Sequence, residues 1–197
     1  MFDYLGPEMS FGPRLLLANR WLFGGVIAAR FGATPQGNAL VRTTTAPTVL
    51  QAGVKENVLP STARALVNFR LLPGDSVAAV IEHVRGVVGD AAIDVRALEG
   101  NVTAASAVTD VAGEPFQLLA RSIRQVIPGA LVTPWLVVAG TDSRHYARLT
   151  PNVLRFVGAA IGKDDLRRIH GTDERVGVQA YADAVRVYLQ LLKNAVL

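Results

Sequence analysis

Hydrophobic positions in the first hundred residues switch between the period of a helix and the period of a strand. Residues 11–31 have apolar side chains on a rough 3.6-residue period, which predicts a helix, and residues 77–88 show the same pattern. A turn is predicted over residues 32–37. Residues 40–51 are rich in valine and threonine and residues 63–72 alternate, so both predict strands. With another strand over 92–98, this order predicts an α+β sandwich, a helix layer against an antiparallel sheet.

The second half has a different pattern. Residues 99–112 are small and polar, which indicates a domain boundary or a long connection. Residues 114–126 and 178–196 each have one apolar stripe and predict helices. Residues 131–139 and 153–157 are short apolar runs, which are typical of buried strands in a parallel sheet. The second half is therefore predicted to be part of an α/β layer.

The composition limits the possible classes of protein. The 197 residues are 50% hydrophobic with a mean hydropathy of +0.30, enough for one large domain or two small ones. The most apolar stretch, residues 15–29, is interrupted by polar residues and glycines, so we expect no membrane span. The absence of cysteine excludes disulfides and thiolate metal sites. The first residues lack the pattern of a signal peptide, and the compartment stays open.

The basic charge does not indicate a nucleic-acid partner. The formal net charge is +4 and the sequence pI is 9.8. The cationic residues are scattered, Arg167–Arg168 is a doublet, and aromatic residues do not interleave with them. We therefore interpret them as a solvated basic surface.

A polar turn follows the apolar run 131–139. After Gly140, the hydroxyls of Thr141 and Ser143 could donate to an oxyanion, and Asp142 could instead cap a helix. Arg70 ends an alternating strand and Asn57 lies in the connection before it. Arg70 suits a carboxylate through its planar fork of donors, or it is a strand-end arginine in water.

The run 168–175 is the most informative one for chemistry. His170 precedes a glycine and lies four residues before Glu174. An imidazole that ligates a metal is usually oriented by a carboxylate or a carbonyl, so the pair is a candidate metal ligand with its support. The alternative is a surface histidine. His83 is expected in solvent, and His145, beside the 140–143 turn, has no assigned role.

Five runs, in order, resemble the di-zinc family that includes aminoacylase, carboxypeptidase S, acetylornithine deacetylase and succinyl-diaminopimelate desuccinylase, above all its carboxypeptidase S-like branch. They occupy residues 43–48, 55–63, 67–74, 140–144 and 169–175. The resemblance implies that residues 1–108 are a lid or dimerisation domain without its first strand. Residues 109–197 would be the end of a catalytic domain with an incomplete, mostly parallel sheet.

The same resemblance implies roles for individual residues. His170 corresponds to the last metal ligand of the family, and Glu174 to the acidic residue that supports it. Asn57 and Arg70 correspond to lid residues that reach the carboxylate of a substrate. The remaining counterparts contact the scissile group; they are Gly140, Thr141 and Ser143.

The implied enzyme is a zinc-dependent amidohydrolase or exopeptidase. It would cleave N-acyl amino acids or small peptides with a free carboxylate by metal-activated water, using two zinc ions, with cobalt or manganese as alternatives. The family's other ligands, its bridging aspartate and its glutamate base precede the lid and are not in this sequence. We expect a homodimer through the lid, a partnership with the missing N-terminal catalytic half, and no turnover by the isolated chain. The alternative is a non-catalytic dimerisation module or remnant.

Overall fold

The computed structural model describes residues 1–100, 102–162 and 164–196. It divides into two compact units, one formed by Asn19–Val108 and the other by Met1–Ala18 together with the chain from Thr109 on. The first eighteen residues therefore group with the second half of the chain. The helices are α1 Phe2–Leu5, α2 Phe11–Ala18, α3 Arg20–Gly32, α4 Pro35–Val41, α5 Val77–Val88, α6 Glu114–Val126, α7 Ser143–Tyr146 and α8 Val178–Val196; the strands are β1 Thr44–Ala52 and β2 Ala63–Arg70.

The helix predicted over 11–31 is interrupted. Asn19 has φ −112° and ψ 44°, outside the helical region, so α2 ends before it and α3 begins after it. Asparagine favours such breaks because its side chain competes for backbone hydrogen bonds. The two helices belong to different units.

The turn predicted over 32–37 is largely the start of helix α4. Thr34 Oγ1 accepts a hydrogen bond of 3.1 Å from the amide of Gly37, and Pro35 takes the first helical position, where no amide donor is needed. Gly37 has no room for a side chain, since a Cβ there would lie 2.1 Å from the carbonyl oxygen of Phe31. A glycine is therefore required where α3 and α4 meet.

The antiparallel sheet of the first unit is a hairpin. β1 pairs with β2 from Thr44 opposite Arg70 to Ala52 opposite Ala63, and Thr48 is skipped in the register. Pro47 lies beside this irregularity, in the kind of position where a strand tolerates proline. The predicted strands 40–51 and 63–72 are confirmed with shifted ends, and the α+β character is confirmed.

The side chain of Thr43 connects the end of the hairpin to the turn that precedes helix α5. Thr43 Oγ1 accepts a hydrogen bond of 2.8 Å from the amide of Leu72 and donates to the carboxylate of Asp75. Ser76 then caps α5 through the amide of Ala79 at 3.1 Å, and the helix ends at Gly89 in the left-handed conformation. The helix predicted over residues 77–88 is thereby confirmed.

The core of the second unit lies between helices α6 and α8. Val187 of α8 is completely buried and packs with Leu119 and Ile123 of α6. Beside it, Ser122 Oγ donates to the carbonyl of Leu118 at 2.8 Å and accepts from Asn194 Nδ2 at 2.8 Å. This buried serine therefore has partners on both helices, as a buried hydroxyl requires.

Three predicted strands are not regular strands in the described residues. The segments 92–98, 131–139 and 153–157 have no ladder, because a strand needs a hydrogen-bonded neighbour along its edge and these segments have none there. Val132, Leu154 and Phe156 nevertheless pack against the α6–α8 core. These three side chains are thus partly buried without a ladder, and the parallel sheet stays a prediction.

We expect Gly37→Ala to lower the free energy of unfolding by about 1–3 kcal/mol, since the new methyl group meets backbone that cannot move aside cheaply. Urea denaturation measures this change. Gly25→Ala in α3 is the control, because nothing lies within 4 Å of a Cβ there, and it should be neutral or stabilising. Equal stability of Gly37→Ala and the wild type would contradict the close approach.

Candidate functional site

His170 lies in a tight turn that follows a short 3₁₀ helix at Asp165–Arg167. Its φ of +62° is in the left-handed region, which histidine adopts less readily than glycine, and the amide of Gly171 donates to the carbonyl of Arg168 at 2.7 Å. Arg168 pairs with Asp165 at 3.0 Å and with Asp173 at 3.4 Å, which fixes both sides of the turn. The imidazole itself is exposed.

Glu174 supports this turn through the backbone. Its Oε2 accepts a hydrogen bond of 3.2 Å from the amide of His170. The carboxylate therefore stabilises the unusual backbone conformation of the histidine, and the contact leaves both ring nitrogens available. The sequence predicts that Glu174 supports the imidazole of His170; the hydrogen bond found here is to the backbone amide, and support of the ring stays a prediction.

The 140–143 turn brings two predicted residues together. Thr141 Oγ1 and Ser143 Oγ are 2.5 Å apart, and Ser143 begins the four-residue helix α7. Asp142 occupies the N-cap position of α7, but its side chain makes no capping hydrogen bond. Gly140 and Thr141 are exposed and Ser143 is half-buried. The hydroxyls, rather than Asp142, are thus the organised polar groups of the turn.

Arg155 completes this cluster, and the sequence reasoning missed it. Its Nε donates a hydrogen bond of 2.7 Å to Ser143 Oγ from the segment that follows the turn. The available signal was a single cation within the apolar run 153–157. Because that run was interpreted as a strand, its one charged residue was not considered for the site.

Histidine 145 has a local partner. Its Nε2 accepts a hydrogen bond of 3.2 Å from Arg144 Nε, and the residue is exposed in the last turn of α7. His83 is exposed on α5, as expected. These contacts assign neither histidine a role at the site.

The two lid residues lie at opposite ends of the hairpin. Arg70 is the last residue of β2 and pairs with Thr44, whereas Asn57 lies in the loop that joins β1 to β2. The eight residues of β2 span roughly 24 Å. The hairpin therefore does not bring Asn57 and Arg70 together, because the connecting loop is at the far end from Arg70. Both are exposed.

The described part of the chain supplies one candidate metal ligand rather than a full set. Within residues 1–100, 102–162 and 164–196, no three histidine, aspartate or glutamate side chains come close enough to hold an ion together. A zinc site needs three or four ligands. His170 is exposed and could offer its imidazole as one such ligand, and that role stays a prediction.

Comparison of the sequence with known proteins shows which family the chain resembles. The peptidase dimerisation domain matches residues 16–96. The chain is 39% identical to "Probable carboxypeptidase S-like 2" of Dictyostelium discoideum, over 98% of this chain and 37% of that protein. It belongs to the M20 peptidase family. The resemblance drawn from the five sequence runs is thereby confirmed.

Further relatives of this M20 chain come from animals and yeast. It is 36% identical to human "N-fatty-acyl-amino acid synthase/hydrolase PM20D1", over 99% of this chain and 39% of the relative. "Carboxypeptidase S" of Saccharomyces cerevisiae is 28% identical over 79% of this chain and 32% of the relative. The M20 chain thus spans under two fifths of the length of these curated relatives.

No solved structure matched significantly. Among the described residues, no helix combines the length and hydropathy needed to cross a membrane.

We expect Glu174→Ala to loosen the His170 turn. Hydrogen exchange of the His170 amide, measured by NMR, should become several-fold faster because the acceptor of that amide is lost. Glu82→Ala is the control, since Glu82 pairs with Arg85 within α5 and lies outside the turn. Unchanged exchange of the His170 amide in the Glu174 variant would contradict the assigned contact.

Proposed function

We propose that this chain supplies the dimerisation lid and the last part of the catalytic domain of a metal-dependent amidohydrolase or exopeptidase. The observation that carries the proposal is similarity along 98–99% of this chain to proteins named as carboxypeptidase S-like and as N-fatty-acyl-amino acid synthase/hydrolase. The substrate class is an N-acyl amino acid or small peptide with a free carboxylate. In this proposal the lid is residues 19–108, shorter than the 1–108 of the sequence prediction because the first eighteen residues group with the second half of the chain, and residues from 109 on belong to the catalytic domain.

His170 is proposed as one ligand of the metal site, with Glu174 holding its backbone. Zinc is the proposed metal, as two ions, and cobalt or manganese are the alternatives to be tested. The metal would supply electrophilic activation of water and of the amide carbonyl. The chain's own contribution would be to present the imidazole from a left-handed turn whose backbone amide is bound by Glu174.

The remaining residues are proposed to bind the substrate. Gly140, Thr141 and Ser143 would contact the scissile amide through donors in the 140–143 turn. Arg70 would bind the carboxylate through its guanidinium. Asn57 would contact the substrate at a separate position, since the hairpin places it at the other end from Arg70.

A chimera tests this proposal. The matching segment of the Dictyostelium relative is replaced by residues 1–197, and hydrolysis of N-acetyl and N-palmitoyl amino acids is measured with zinc, cobalt or manganese. We expect turnover by the chimera and none by the isolated chain, which should bind zinc only weakly in calorimetry. His170→Ala should abolish chimera turnover, and His83→Ala, at an exposed position of α5, should leave it unchanged.

Two results would refute the enzymatic role. The first is a folded chimera that hydrolyses none of these substrates with any of the metals. The second is full activity of the His170→Ala chimera. Robust turnover by the isolated chain would instead refute the proposed need for the N-terminal catalytic half.

A second candidate function is favoured by the apolar surface of the lid. Trp21 is 83% exposed on α3 and Leu50 is 77% exposed on β1, both within the matched dimerisation domain. Exposed apolar area of this kind marks interaction surfaces. We therefore also propose self-association through the lid helices and the hairpin edge, which in the absence of turnover would make the chain a non-catalytic dimerisation module.

Sedimentation velocity of the isolated chain tests self-association. We expect a dimer, and Trp21→Ser should shift the distribution toward the monomer because it removes apolar contact area from the interface. Leu149→Ser is the matched control, since Leu149 is 76% exposed but lies outside the matched domain. A wild-type chain that stays monomeric at high micromolar concentration would contradict this proposal.

A further inference from the structure

Arg155 is held in place where it meets the hydroxyl pair of the 140–143 turn. The carbonyl of Val153 accepts a hydrogen bond of 3.0 Å from Thr109, and the carbonyl of Phe156 accepts one of 2.7 Å from the hydroxyl of Tyr188. Both flanks of Arg155 are therefore tied to other parts of the same unit. Because the backbone on both sides is held, the positions that the Arg155 guanidinium can occupy are restricted.

The hydrogen bonds among Thr141, Ser143 and Arg155 determine how many hydroxyl protons remain for a hydrogen bond to a substrate. A guanidinium has only donors, so Ser143 Oγ accepts from Arg155. Thr141 and Ser143 carry two hydroxyl protons, and one of them lies in the 2.5 Å contact between the two oxygens. Whichever hydroxyl donates in that contact, one proton is left to point away from the pair. The cluster is therefore a single hydrogen-bond donor backed by a positive charge.

We propose that Arg155 is a positioning residue that orients this donor toward the carbonyl oxygen of the scissile amide. This inference rests on the proposed amide hydrolysis, in which negative charge develops on that oxygen. The Arg155 guanidinium polarises Ser143 and, through it, the outward proton, and a charge-assisted chain of this kind donates more strongly than an isolated hydroxyl. Preorganised donors at such an oxygen stabilise the transition state more than the bound substrate.

The contact can be observed in the isolated chain without any catalytic activity. In ¹H–¹⁵N spectra of arginine side chains, the Nε–H signal of Arg155, identified by its loss in Arg155→Lys, should exchange slowly with water. Ser143→Ala should make it exchange rapidly, whereas Ser143→Thr keeps the acceptor oxygen and should retain protection. Thr150→Ala is the control, because its hydroxyl accepts from the amide of Asn152 instead. An Arg155 signal that is indifferent to Ser143→Ala overturns the proposal.

Kinetics of the chimera test the role of the contact. Arg155→Met should lower kcat on the order of tenfold with little change in KM, less than the hundredfold or more that loss of a direct oxyanion donor costs. Arg155→Lys should restore part of the loss. A rise in KM at constant kcat would overturn the proposal, because it would indicate uniform substrate binding. Absence of turnover in the unsubstituted chimera would count against the proposed function, and the spectra would then decide the Arg155 contact alone.

Discussion

Packing between helices α6 and α8 is the interaction on which the second unit of this protein depends. These helices come from residues more than fifty positions apart, and the completely buried Val187 joins them through Leu119 and Ile123. Burial of a side chain of this kind is worth about 1.5–3 kcal/mol. Asn194 adds directional contacts, because its amide donates to Ser122 at 2.8 Å and to Gln125 at 2.7 Å. Apolar burial thus holds the helices together, and the polar contacts specify their alignment.

The irregular segments of this unit take their positions from that helix pair. Leu154 and Phe156 pack on the core, and Gly158 lies so close to α8 that a Cβ there would be 3.0 Å from Ala184 Cα. These contacts place Arg155, which in turn reaches Ser143. The hydroxyl pair of the 140–143 turn is therefore connected to the core through Arg155 and its neighbours Leu154 and Phe156. Residues 153–157 make these contacts without forming a regular strand.

The candidate metal ligand depends on a different kind of constraint. His170 is exposed, so packing does not hold it, and its position comes from the hydrogen bonds and ion pairs of the turn around it. A complete metal site would need ligands from outside the described residues.

The sequence by itself determined the elements whose signals are local. The apolar stripes of α5, α6 and α8, the strands β1 and β2, and the family resemblance all followed from spacing and residue type. The break at Asn19 and the start of α4 at Pro35 have local causes that the apolar period does not show. Tertiary structure decided the lack of a ladder at 131–139 and 153–157 in the described residues, because a strand depends on which neighbour it meets. It also decided that Arg155 joins Thr141 and Ser143. A local pattern cannot predict which long side chain from another segment will contact a turn. That contact depends on the tertiary packing that brings the two segments together.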